Sequence, residues 1–115
     1  MSIKIKRRFN LNKKYKVITL CGSTKFKDEF IKASRDLTIK GNIVISVGLF
    51  GHADGDYNTI IDEKSKEMLD DMHKRKIDMA DEIFVINANG YIGESTRSEI
   101  EYALETGKIV RYLEE

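Results

Sequence analysis

Val17-Ile18-Thr19-Leu20-Cys21-Gly22-Ser23-Thr24-Lys25 decides the fold class. A short, largely β-branched run ends in a glycine, two hydroxyl residues and a lysine. Its apolar part is continuous rather than alternating, the pattern of a strand buried on both faces of a parallel sheet. Three further runs have the same character: Ile43-Val44-Ile45, Ile83-Phe84-Val85-Ile86 and Ile109-Val110. Between them lie stretches with helical spacing. Residues 26–40 carry Phe26, Phe30, Ala33 and Leu37 and stop at Gly41. Residues 64–80 carry Leu69, Met72, Ile77 and Ala80, and residues 95–106 carry Ile100, Ala103 and Leu104 before Gly107. Strands that alternate with helices imply βαβ units. The expected fold is α/β, a three-layer flavodoxin- or Rossmann-like parallel sheet in the order 2-1-3-4. The alternating Ile3-Lys4-Ile5-Lys6 admits one extra N-terminal edge strand. In that order the chain reverses between strands one and three, so a ligand crevice should open there, outside the carboxyl ends of the strands.

The 115 residues fit one domain, read as a basic arm or edge strand over 1–14 and an α/β domain over 15–115. Hydrophobic residues make up 41% and charged residues 34%, a foldable mixture, and the net charge of +1 gives no global field toward DNA or membranes. Lys4, Lys6, Arg7, Arg8, Lys13, Lys14 and Lys16 all precede the first acidic residue, Asp28. No run of aromatic side chains accompanies them, so a solvated arm or a lysine-guarded edge is the better reading than a nucleic-acid contact. The single cysteine, Cys21, excludes an internal disulfide and suits a reducing compartment. No apolar run follows the basic N-terminus and no stretch reaches membrane-spanning length, so the expectation is a cytoplasmic protein without a signal peptide.

Three loops face the expected crevice. In residues 21–25, Gly22 lets the backbone approach a ligand, while the amides, Ser23, Thr24 and Lys25 favour an anion. The plain alternative is an ordinary turn with Ser23 or Thr24 as helix cap and Cys21 as strand-end packing. In residues 47–59, Phe50, His52 and Tyr57 could stack a base, and Asp54, Asp56 or His52 could protonate a leaving group. A solvated lid is the alternative for any one of them. His52, Asp54 and Asp56 lack the further oxygen ligands of a Ca²⁺ loop, so no metal is expected. In residues 87–95, Asn87, Gly90, Gly93 and Ser95 leave a buried strand and enter a helix, with Arg97 placed to meet a phosphate. Ser95 or Thr96 is the natural cap. If Thr96 caps, Glu99 completes a capping box; otherwise Glu99 stands in the first turn, facing the crevice, where a carboxylate could attack an electron-poor anomeric carbon. His73 shares a helical stripe with Leu69, Ile77 and Ala80, which favours a packed, hydrogen-bonded imidazole over a substrate contact.

Cys21-Gly22-Ser23-Thr24, then Ala80-Asp81-Glu82-Ile83-Phe84-Val85, then Glu99-Ile100-Glu101-Tyr102-Ala103 with Gly107-Lys108, occur in one order on strand, strand and helix. In these stretches the chain resembles the nucleoside 2-deoxyribosyltransferase-like superfamily, which includes the deoxynucleoside 5′-monophosphate N-glycosidases. The Gly93-Glu94-Ser95-Thr96-Arg97-Ser98-Glu99 run is similar to that of small bacterial and phage members. The resemblance implies that Glu99 is the nucleophile and that Ser23 with its neighbouring amides holds the sugar or its 5′-phosphate. The family usually places an aspartate seven residues before the alanine of its Ala-Asp pair, where this chain has His73.

The implied substrate is a nucleoside or nucleotide and the reaction is cleavage or transfer of its N-glycosidic bond, with no cofactor. The logic parallels that of retaining glycosidases. A non-catalytic nucleotide sensor of the same fold, and an interaction domain in which Glu99 only caps a helix, remain the alternatives. The resemblance also implies an oligomer, and Met68, Leu69, Met72 and Met79 offer more apolar surface than one sheet face covers. A two-fold homodimer, or a dimer of dimers, is therefore expected through residues 64–80.

Overall fold

The computed structural model of the chain describes residues 14–55 and 61–115. The expected edge strand at Ile3–Lys6 and the candidates Asp56 and Tyr57 lie outside the described residues. Among the described residues, four strands form one sheet in the order β2-β1-β3-β4: β1 is Val17–Gly22, β2 Ile43–Ile45, β3 Glu82–Ile86 and β4 Ile109–Tyr112. Every neighbouring pair is parallel. Among the same residues, three helices flank it: α1 (Lys27–Ile39), α2 (Glu63–Asp78) and α3 (Glu94–Glu105). This is the α/β fold and strand order that the apolar runs imply.

The continuous runs in β1 and β3 divide between two cores because successive side chains leave a strand on opposite faces. Ile18, Leu20 and Ile86 join Phe30 and Ala33 of α1 on one side. Cys21, Ile83 and Val85 join Ile77 of α2 and Ala103 of α3 on the other. Helices on both sheet faces make three layers, and every one of these ten residues is buried. Among the described residues, no helix is long and apolar enough to cross a membrane.

β1 runs two residues further than its apolar run, because Cys21 and Gly22 stay in register with Val85 and Ile86 of β3. Gly22 is needed for that approach. A Cβ there would lie 2.9 Å from both Cβ and O of Ile86 and 3.3 Å from Cε2 of Phe30. Overpacking at such a contact costs about 1–3 kcal/mol. Gly22→Ala should therefore lower the unfolding free energy measured in urea by that amount; an unchanged value would mean the two strands separate freely.

At the opposite end of the sheet, the Asp81 carboxylate accepts the Val17 N–H at 2.9 Å, while its own N–H donates to the Val17 carbonyl at 2.8 Å. The Ala80-Asp81-Glu82 stretch thus ties β1 to β3 far from the strand carboxyl ends.

The helix starts differ from the capping expectations. α3 begins at Glu94 with Gly93 as its cap, in extended conformation and with no side-chain cap bond. The Arg97 N–H already donates to the Gly93 carbonyl at 2.9 Å, so the helix opens earlier than Ser95 or Thr96 would allow. Thr96 is instead buried at the third helical position. Glu99 consequently stands in the second turn, not the first, and closes no capping box. Likewise α1 is capped by Phe26, not by Ser23 or Thr24, because the Ser23 carbonyl takes the Phe26 N–H in a tight turn ahead of the helix.

Candidate functional site

A cavity of about 560 Å³ opens at the carboxyl ends of the strands, within the roughly 300–1,000 Å³ range of small-molecule sites. The end of β1 and its turn supply Gly22, Ser23 and Thr24. The segment after β2 supplies Val47, Gly48, Leu49, Gly51 and His52. The start of α3 supplies Gly93, Glu94, Ser95, Thr96 and Glu99, and Tyr91 precedes it. The fourth wall is α2. Lys66, Leu69, Asp70, His73 and Lys76 recur at helical spacing, so one face of that helix looks into the cavity.

Glu99 and His73 meet where α3 passes α2. Their Oε1 and Nε2 atoms are 3.8 Å apart, with side chains 12% and 9% exposed. His73 Nε2 also lies 3.4 Å from Cys21 Sγ. His73 is therefore both the packed histidine that its stripe suggests and part of the cavity wall. Burial, reinforced by the negative charge of Asp70, raises the Glu99 carboxyl to about 7; the Cys21 hydrogen bond and Lys74 oppose this. Burial, reinforced by Lys76, lowers the His73 imidazole to about 4, against a hydrogen bond to the Leu20 backbone and the charge of Asp70. Burial and then Glu99 push the Cys21 thiol well above its ordinary value. Three neighbouring groups thus favour their neutral forms, and Glu99 alone changes charge near neutrality.

Opposite this cluster, Thr24 Oγ1 and His52 Nδ1 are 2.7 Å apart, and Thr24 Oγ1 also accepts the His52 N–H at 3.2 Å. Ser23 Oγ accepts the Lys25 N–H at 3.3 Å. The Lys25 ammonium sits 3.6 Å from the centre of the Tyr91 ring. Lys66 pairs with Asp70 at 2.8 Å, and Lys76 donates to the Ser46 carbonyl at 2.9 Å.

The cavity thus gathers Gly22, Ser23, Thr24, His52, His73, Gly93, Ser95 and Glu99 from the sequence-based candidates, with Cys21 buried directly behind His73. Five other described candidates do not line it. Asp54 pairs with Lys27 at 2.9 Å. Phe50 packs edge-on against Phe30, ring centres 5.5 Å apart. Asn87 exchanges two hydrogen bonds with the Glu114 backbone, each 2.8 Å. Arg97 is exposed on α3 and Gly90 closes the short 3-10 turn at Ala88–Gly90.

Lys66, Asp70 and Lys76 were not singled out by sequence. Their signal was the spacing they share with His73, a polar stripe threaded through an apolar one.

Comparison with protein-family models, with curated proteins and with solved structures finds no match to the chain.

Proposed function

We propose that the chain cleaves or transfers the N-glycosidic bond of a (deoxy)nucleoside or its 5′-monophosphate. Glu99 is the nucleophile, and water or a second base the acceptor. The observation that carries this reading is a largely buried carboxyl on the wall of a nucleotide-sized cavity, facing a Gly-Ser-Thr turn. An ionised Glu99 oxygen attacks C1′ as the C1′–N bond breaks, and the base leaves with the bonding pair and takes up a proton. Attack at C1′ by water, or by the nitrogen of another base, then releases Glu99. The transition state carries positive charge, which a carboxylate in a water-poor wall stabilises. His52 is the proton donor in this scheme, because it lines the cavity whereas Asp54 is turned to Lys27.

A panel of nucleosides and their 5′-monophosphates, followed by chromatography of free base, tests the reading. Base should appear, and faster from monophosphates, because Ser23 and Thr24 offer hydroxyl donors to the phosphate; bonds to charged groups contribute about 1.5–3 kcal/mol. Equal binding of nucleoside and monophosphate would remove the phosphate part. Thermal stabilisation by these ligands without any base release would favour the nucleotide-sensor alternative.

The same reading includes a two-fold homodimer through α2. Met68 and Met72 on that helix and Met79 at its carboxyl-terminal cap are 50%, 44% and 68% exposed, surface that a partner copy would cover. Light scattering should give twice the chain mass of 13.2 kDa. A mass of one chain, unchanged by ligand, would contradict it.

A further inference from the structure

Cys21, His73 and Glu99 come from three different elements, the end of β1, the middle of α2 and the second turn of α3. Each offers one ligand atom, and these atoms all lie within 4.8 Å of one another. We propose that they form a site for a thiophilic divalent cation of the Zn²⁺ class, whose occupation ties up Glu99.

The donor set fits that cation. Thiolate, imidazole and carboxylate are its preferred ligands, and bond lengths near 2.3 Å to sulfur and 2.0–2.1 Å to nitrogen put tetrahedral neighbours about 3.5 Å apart. Sγ and Nε2 already stand at 3.4 Å. Nε2 and Oε1, at 3.8 Å, need to close by only a few tenths of an ångström. The third edge, from Sγ to the Glu99 carboxylate, lies within the 4.8 Å that spans the cluster. Ligation replaces the thiol proton, and any proton on Glu99, with the cation. One thiolate and one carboxylate then balance its two charges, which suits a buried position. His73 and Glu99 border the cavity, so the fourth coordination position opens onto it and takes water. The site stands on its own geometry; its consequence for activity rests on the glycosidic reading.

Cobalt(II) titration of the full chain tests the site directly. Cys21 is the only cysteine, so a thiolate-to-cobalt absorption band can arise nowhere else. The band should saturate at one cobalt per chain, and Zn²⁺ should bleach it. In Cys21→Ser the band should vanish, and Zn²⁺ affinity, read by competition with a chromophoric chelator, should fall at least about 100-fold. Glu99→Gln, which keeps the shape of the side chain, should fall at least about 10-fold and serves if Cys21→Ser fails to fold. No band at saturating cobalt, or a Glu99→Gln protein that binds Zn²⁺ as tightly as the parent, would overturn the site. Where base release is detected, stoichiometric Zn²⁺ should abolish it and a chelator restore it; Zn²⁺-saturated protein at full activity would overturn the blocking role. If chelated parent protein releases no base, the glycosidic reading fails while the cobalt band still decides the site.

Discussion

Glu99→Ala should lower base release from nucleosides and their monophosphates by about 10³-fold or more, because it removes the atom that bonds C1′. Folding should survive. Glu99 caps no helix, and the α3 start rests on Gly93 and the buried Thr96. The pH profile of the parent carries the same signature. Attack needs an ionised carboxylate, and burial holds Glu99 up at about 7, with Asp70 adding to the shift and Lys74 and the Cys21 hydrogen bond opposing it. His73 stays neutral across that range. In chelator-containing buffer, base release should therefore rise with pH through about 7 and level off above it. Glu99→Ala with unchanged turnover would end the nucleophile assignment.

The second large effect is on stability, and it has opposite signs in two variants. Between the ordinary values of 4.5 for Glu99 and 6.5 for His73, the unfolded chain carries an ionised glutamate and a protonated histidine. The folded chain carries both neutral, since Glu99 is raised to about 7 and His73 lowered to about 4. Unfolding there releases one proton and takes up another, so the pair adds no net slope. Glu99→Gln removes the released proton. Only the uptake at His73 remains, so stability should fall as pH drops from about 6.5 toward 4. His73→Gln leaves only the release at Glu99, so stability should fall as pH rises from about 4.5 to 7. Each slope should approach about 1.4 kcal/mol per pH unit, on the order of 3 kcal/mol across the window. Urea unfolding at several pH values reads both. Parallel slopes in the two variants would mean that the cluster is solvated rather than buried.

The sheet was legible because each strand is a compact β-branched run and two of the three described helices close at a glycine, Gly41 and Gly107. Helix starts were less so. Thr96 and Glu99 have capping-box spacing, but Gly93 fits the cap in extended conformation and lets the helix begin sooner. Glu99, Ser23 and Thr24 reach the cavity because all three follow a strand end, where topology alone puts them at the crevice. Asp54, Phe50 and Asn87 were singled out by chemical type, and partners distant in the chain hold them elsewhere: Lys27, Phe30 and Glu114. Nothing local in a sequence announces such partners. The α2 wall was half legible. Its apolar stripe pointed to packing, whereas the interleaved Lys66, Asp70 and Lys76 bring a polar edge to the cavity.

The nucleophile assignment is tested most directly by catching the sugar on it. The protein is mixed with a deoxynucleoside 5′-monophosphate that it turns over, quenched in acid within a turnover, digested and weighed by mass spectrometry. The account predicts a deoxyribosyl-phosphate ester on the peptide containing Glu99, absent from Glu99→Ala. Base release with no adduct on Glu99, or an adduct on another residue, would contradict it.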